Sequence, residues 1–290
     1  MTYCQFVSTV EEKLKEEVRD KIEISVYTAK KNNGVIRTGL MIRDEKINIS
    51  PAIYLEEYYE QFRKGDSIEM IADDILRIYD EVKFHHSWDY ESLDIYEKVS
   101  GKIVFRLVNR KANRELLREI PYIPYLDLAI IFYVMVEVNE YGTAAMMIQN
   151  PHMESWDITL KELYDRAKEN TPRLLSAKLQ TVQAVIEELS QKQVAEGKDF
   201  MYVLSNEIRS FGSAAILYRD QLVNIGLLLR ENYYVLPSSV HEVIIIPESE
   251  VPCRELLDEI VKEINEVHLE QEEVLCDHAY YYDCETRKMK

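Results

Sequence analysis

The sequence predicts an α+β fold, with mixed sheets and helices packed on them. Segments with helical apolar spacing and segments with strand alternation are interspersed along the chain. Only 8 glycines and 8 prolines occur in 290 residues, too few for a many-turned all-β architecture. Hydrophobic residues make up 47% of the chain, enough apolar surface to offset chain entropy and exclude a disordered protein. The length suits one large or two modest domains.

The elements follow in order. Phe6, Val7, Val10, Leu14 and Val18 recur at helical spacing and predict an N-terminal amphipathic helix. IEISVYTAK and VIRTGLMIRD flank Asn33-Gly34, a strong hairpin signal. Residues 46–50 (KINIS) read as a third strand stopped by Pro51. Residues 54–63 read as a helix that Gly65 ends. Asp66 and Glu69 then have capping-box spacing before a helix carrying Ile68, Ile71, Ile75, Ile78, Tyr79 and Val82. His85-His86 is read as that helix's end, beside Trp88. Residues 102–109 alternate as a strand, and a short helix is expected around 113–119.

Pro121 and Pro124 punctuate IPYIPYLD and suggest a boundary between residues 1–119 and 120–290, unless the domain is continuous. The run at 126–138 is a buried strand; a membrane span needs about 20 apolar residues. An internal repeat is expected next. Tyr141-Gly142-Thr143-Ala144-Ala145 matches Phe211-Gly212-Ser213-Ala214-Ala215, each an aromatic-glycine turn leading to a small-residue strand and then a helix. Two such ββα units are predicted to share one sheet. Thr159 and Glu162 form a capping box for the first helix, and the second spans about 220–230. Residues 233–236, 240–246 and 279–283 read as strands. Residues 251–268 read as a helix with Leu256, Leu257, Ile260, Val261, Ile264 and Val267 on one arc. The tail TRKMK is expected to fray.

Charge narrows the partners. Lys+Arg is 35 and Asp+Glu is 52, a formal net charge of −17. Such a chain repels duplex nucleic acid and anionic membranes on average, so neither is expected as a partner. Between Glu248 and Glu273 the sequence has ten acids and two bases, a solvated helix face or a docking face for a basic partner. The 20 tyrosines suit either a protein interface or the core. No basic and apolar leader precedes the first helix, and four cysteines show no CxxC pair, which predicts a cytoplasmic protein with reduced thiols.

Several polar clusters could carry chemistry. His241-Glu242 is placed at the start of an apolar strand, with His241 sharing a face with Val243 and Ile245. Structurally it is a satisfied histidine; functionally it is a general base. Asp277-His278 precedes YYYD as a polar strand start. Cys276, His278 and Cys284, with His268, could offer zinc ligands, but the spacing is not that of a familiar module. His152 follows Asn150-Pro151, read as a turn. Ser238-Ser239 lacks a nucleophile elbow. Neither a Walker A motif nor Gly-x-Gly-x-x-Gly is present. No cofactor or metal is predicted.

NNGVIRTGLMIR, ISPAIYLEEYYEQF, IPYLDLAIIFY, ENTPRLL, VLPSSVHEVIIIP and DHAYYYD together resemble the bacterial family called domain of unknown function 5688. A weaker similarity, in the order of elements and in a P-x-H-x-V segment, is to domain of unknown function 1444. The resemblance implies an α+β fold and a bacterial cytosolic setting, and supplies no catalytic residues. The expected function is that of a non-catalytic interaction or regulatory protein with a protein partner. One alternative is a hydrolase-like enzyme drawing on His241, Glu242, Asp277, His278 or His152. The other is an acidic decoy of a nucleic-acid-binding protein.

Overall fold

The computed structural model describes residues 1–18, 22–84, 87, 89–139, 142–190 and 200–290. The chain divides into two compact units, Met1–Glu91 and Ser92–Lys290. The first contains α1 (Tyr3–Glu17), β1 (Ile22–Lys30), β2 (Ile36–Asp44), β3 (Ala52–Tyr54), α2 (Glu56–Lys64) and α3 (Ile68–Val82). Thr2 and Gln5 form a reciprocal capping box on α1. β1 and β2 pair from Ile22↔Asp44 to Lys30↔Ile36 around a tight turn at Asn32–Gly34. Asn33 (φ 57°) and Gly34 (φ 73°) are both left-handed there, which is why Asn-Gly suits the position.

The third strand is not at residues 46–50. β3 follows Pro51 and pairs with Gly39–Met41. Ser50 satisfies the strand edge with its side chain instead. Its hydroxyl accepts the Ile42 N–H at 3.0 Å and contacts the Ile42 carbonyl at 3.0 Å. The cap of α3 is Ser67, one residue later than Asp66, and accepts the Met70 N–H at 3.3 Å. Phe6, Val10 and Leu14 from α1 meet Ile71 and Ile75 from α3 and Leu40 and Ile42 from β2 in one buried cluster. The expected helix end at His85-His86 and Trp88 lies outside the described residues.

The second unit contains α4 (Tyr96–Val99), β4 (Ile103–Asn109), β5 (Tyr122–Tyr125), β6 (Leu128–Asn139), β7 (Gly142–Met147), α5 (Asn150–Trp156) and α6 (Leu160–Leu174). It continues with β8 (Ala177–Thr181), α7 (Val182–Ser190), β9 (Tyr202–Asn206), α8 (Gln221–Leu229), β10 (Tyr233–Leu236) and β11 (Val243–Pro247). α9 (Arg254–Val267), β12 (Tyr280–Asp283) and β13 (Lys288–Met289) complete it. One sheet has the order β4-β6-β5, with β7 also paired to β6; the other has the order β13-β12-β10-β11-β9-β8.

The α+β class holds, but the sheets are not mixed. Every described strand pair is antiparallel, since sheet neighbours are reached by chain reversals and not by parallel crossovers. The IPYIPYLD segment, expected to mark a boundary after residue 119, lies inside this unit, with β5 paired to β6. Residues 113–119 hold a single 3-10 turn at Leu116–Arg118. The polar side chains of α6 fix it on β4. Thr171 Oγ1 accepts the Phe105 N–H at 3.0 Å, and Asn170 Nδ2 donates to the Ile103 carbonyl at 3.1 Å.

The sequence repeat does not carry a structural repeat. Residues 142–147 form β7, whereas Gly212–Leu217 form a buried 3-10 turn. Phe211 is left-handed (φ 52°), and a Cβ on Gly212 would stand 2.5 Å from the Asn206 backbone nitrogen. That close approach folds the second copy into the core, where Ser213 Oγ donates to the Val240 carbonyl at 2.7 Å. Tyr141 lies outside the described residues. The C-terminal residues are ordered as well: Asp283 pairs with Lys288 in register, and Lys290 Nζ lies 2.9 Å from Asp283 Oδ2. Among the described residues no helix is long and apolar enough to cross a membrane.

Candidate binding site

The histidines singled out by sequence occupy separate places. His152 lies in the first turn of α5, not in a loop turn. Its Nδ1 accepts the Gln149 N–H at 3.0 Å, and its ring stacks on Trp156 at 5.6 Å. His241 precedes β11, which begins only at Val243, so strand alternation does not set its direction. Its Nδ1 accepts the N–H of left-handed Phe211 at 3.2 Å, and the two rings lie 5.2 Å apart. Its own N–H donates to Ser239 Oγ at 3.0 Å, and its carbonyl accepts from Ser205 Oγ at 2.8 Å. Its Nε2 lies 3.5 Å from Glu273 Oε1. These contacts are those of a turn-fixing histidine. Glu242 is half-buried in the same turn.

Ser238 and Ser239 are buried, and Ser239 bridges to Val274. Among the described residues no hydrogen bond, ion pair or ring contact joins any two of His152, His241 and His278. Several tyrosines serve the core. Tyr218 and Tyr233 send their hydroxyls to the Leu175 and Leu222 carbonyls, each at 2.7 Å.

Asp277 and His278 do belong to a cluster, and its key member was not visible in the sequence. Asp127 sits in the two-residue loop of the β5–β6 hairpin, between paired Tyr125 and Leu128. Leu126, the first loop residue, is left-handed (φ 53°), where glycine is usual. The loop meets the segment leading into β12. Cys276 Sγ lies 3.6 Å from Asp127 Oδ2, and 3.3 and 3.7 Å from His278 Nδ1 and Nε2. His278 Nε2 is 3.9 Å from Asp127 Oδ1, and Asp277 Oδ1 is 3.0 Å from His278 Nδ1. The Tyr280 hydroxyl donates to Asp127 Oδ1. One ligand-capable atom from each of Asp127, Cys276 and His278 lies within 4.8 Å of the others.

The environments differ within this cluster. Burial pushes the Cys276 thiol up to about 12 and raises the Tyr280 phenol strongly. The His278 hydrogen bond holds the Asp277 carboxyl below its ordinary value. Cys284 and His268 are not part of it. Cys284 Sγ contacts the Glu231 carbonyl at 3.1 Å, and exposed His268 caps the C-terminus of α9. The residues expected from sequence spacing therefore come together only in part.

Beside the cluster is a cleft of about 730 Å³ whose lining includes Arg110, Lys111, Arg114 and Arg118, together with Asp127 and Asp277. The four cations come from the turns that follow β4, where Asn109 Nδ2 binds the Leu275 carbonyl at 3.0 Å and the Arg110 N–H binds the Asp127 carbonyl at 3.3 Å. All four are exposed, and among the described residues none has a side-chain ion pair or hydrogen bond. Sequence reasoning passed over them. The signal was present as Arg110, Arg114 and Arg118 at steps of four, a basic cluster in an acidic chain. Bland surface solvation accounts for any one of these side chains, but less readily for four like charges gathered in one cleft with none of them ion-paired, although Asp127 and Asp277 line the same cleft.

The chain belongs to a family of unknown function (DUF5688), whose model matches residues 3–284. No curated protein and no solved structure matches it.

Proposed function

We propose that this family member is a non-catalytic interaction protein, and that the cleft beside Asp127 receives a protein segment bearing clustered carboxylates or phosphates. The observation that carries the reading is the group of four cations without ion-pair partners, Arg110, Lys111, Arg114 and Arg118, which outnumber the carboxylates of Asp127 and Asp277 in one cleft of a chain with net charge −17. Guanidinium groups bind carboxylate and phosphate oxygens in pairs, so adjacent arginines recognise acidic motifs better than a single charge does. The net negative charge does not prevent this. Distant charges are screened over about 8 Å at physiological ionic strength, whereas groups inside a cleft act at contact range. The separate settings of His152, His241 and His278 favour binding over histidine-based catalysis.

Fluorescence anisotropy with labelled phosphoserine-containing and glutamate-rich peptides tests the proposal. Binding that weakens with salt and falls at least about tenfold in the Arg114→Glu/Arg118→Glu protein is expected, a loss of about 1.4 kcal/mol or more. Equal binding by the two proteins would remove the cleft from consideration. Preferential capture of duplex DNA through the same arginines would replace the reading with a nucleic-acid one.

A further inference from the structure

We propose that Asp127, Cys276 and His278 form a binding site for one zinc ion, held by a carboxylate oxygen, a thiolate sulfur and an imidazole nitrogen. The donor atoms are already close to the required spacing. Zinc bonds of about 2.0–2.3 Å in tetrahedral geometry place neighbouring donors about 3.2–3.8 Å apart. Here sulfur to Asp127 Oδ2 is 3.6 Å, sulfur to Nε2 is 3.7 Å, and Nε2 to the other carboxylate oxygen, Oδ1, is 3.9 Å, with one donor atom from each residue within 4.8 Å of the others. Seating the ion requires the three side chains to turn so that one carboxylate oxygen faces both the sulfur and Nε2.

The donor set selects the metal. A thiolate disfavours magnesium and calcium, which take oxygen ligands, and a sulfur–nitrogen–oxygen set in tetrahedral spacing suits zinc. The surroundings match those of bound metal too. Asp277 Oδ1 sits 3.0 Å from His278 Nδ1, the carboxylate behind the ring that fixes the imidazole's orientation when Nε2 ligates. The Tyr280 hydroxyl donates to Asp127 Oδ1 and lies 3.6 Å from Cys276 Sγ, so it packs against the cluster and helps to hold the carboxylate. Binding displaces the Cys276 thiol proton to solvent, so each zinc taken up releases one proton from this residue.

Three protein ligands leave a fourth position for water or for an anionic group of the occupant of the cleft, since Asp127 also lines that cleft. The metal site stands independently of what the cleft binds. It involves none of the four cations, and its test uses no peptide.

The full-length chain, stripped with a chelator, is titrated with Co²⁺ as the spectroscopic probe and then with Zn²⁺. One cobalt per chain, with a thiolate-to-cobalt charge-transfer band that zinc abolishes, is the expected result. Cys276→Ser should lose the band. Asp127→Asn and His278→Gln should each weaken metal binding at least about tenfold, given that even outer-shell changes cost about 10–100-fold. Cys284→Ser and His268→Gln should titrate as wild type. No thiolate band in the wild type, or a band that survives Cys276→Ser or disappears with Cys284→Ser, overturns the site. Should Cys276→Ser fail to fold by circular dichroism, the two variants at partly exposed positions decide; unchanged affinity in both overturns it.

Discussion

His241 accepts the N–H of left-handed Phe211, one of several bonds by which the histidine holds this turn. Removing the acceptor strands a half-buried donor, so His241→Ala should lower unfolding free energy by about 1–3 kcal/mol in urea denaturation. An unchanged midpoint combined with a lost cellular activity would instead make it catalytic. Gly212, next in sequence, faces a different limit. A methyl group there meets backbone nitrogen at 2.5 Å and the His241 carbonyl oxygen at 2.7 Å, and backbone does not step aside. Gly212→Ala should therefore cost about 1–3 kcal/mol from overpacking; a variant as stable as wild type would show that the 3-10 turn relaxes easily. Both residues were legible as types. The sequence reads His241 as a structural histidine but does not show its partner, because Phe211 is thirty positions away and the aromatic-glycine pair imitates a hairpin turn.

At the scale of elements, sequence pattern succeeded where one local rule decided. The β1–β2 hairpin follows from Asn-Gly, and α6 from Thr159 with Glu162, whose reciprocal bonds are present. It failed where a side chain replaced a strand bond, as Ser50 does beside β2, and where six identical or similar letters take two conformations, as in β7 and the turn at Gly212–Leu217. The closing hairpin of β12 and β13 escaped notice because two residues are too few to alternate. Its stability should depend on acid. The Thr286 N–H and the Lys290 ammonium hold the Asp283 carboxyl down from about 3.8 to about 2. A depressed carboxylate contributes stability above its unfolded value, and that contribution disappears as pH falls toward the folded one. Asp283→Asn should thus melt below wild type at neutral pH, with the gap closing between about pH 4 and pH 2. A gap independent of pH would mean that the carboxylate's charge contributes nothing to the hairpin.

The whole molecule divides into units that each own a core. Residues 1–91 carry the cluster of Phe6, Leu14, Leu40 and Ile75, and the sheets of residues 92–290 have clusters of their own. A fragment of residues 1–91 is expected to fold alone, with a dispersed amide spectrum in NMR; a collapsed spectrum would show that its core needs the remainder. The two compact units part after Glu91, and Pro121 falls just before, and Pro124 within, an edge strand of the second, a position in which proline is tolerated. The site was only partly readable for a related reason. Asp277, His278 and Cys276 are neighbours in sequence, but Asp127 joins them through a hairpin loop from far upstream, and no local pattern announces such a meeting. The cysteines give this architecture an internal clock. Cys4 and Cys253 are exposed, Cys284 is half-covered and Cys276 is buried, so one disulfide reagent meets the same chain under several degrees of protection. Two labels should attach at once, while the last waits for the loop at Asp127 and the strand at Tyr280 to part, timing how often that part of the native protein opens.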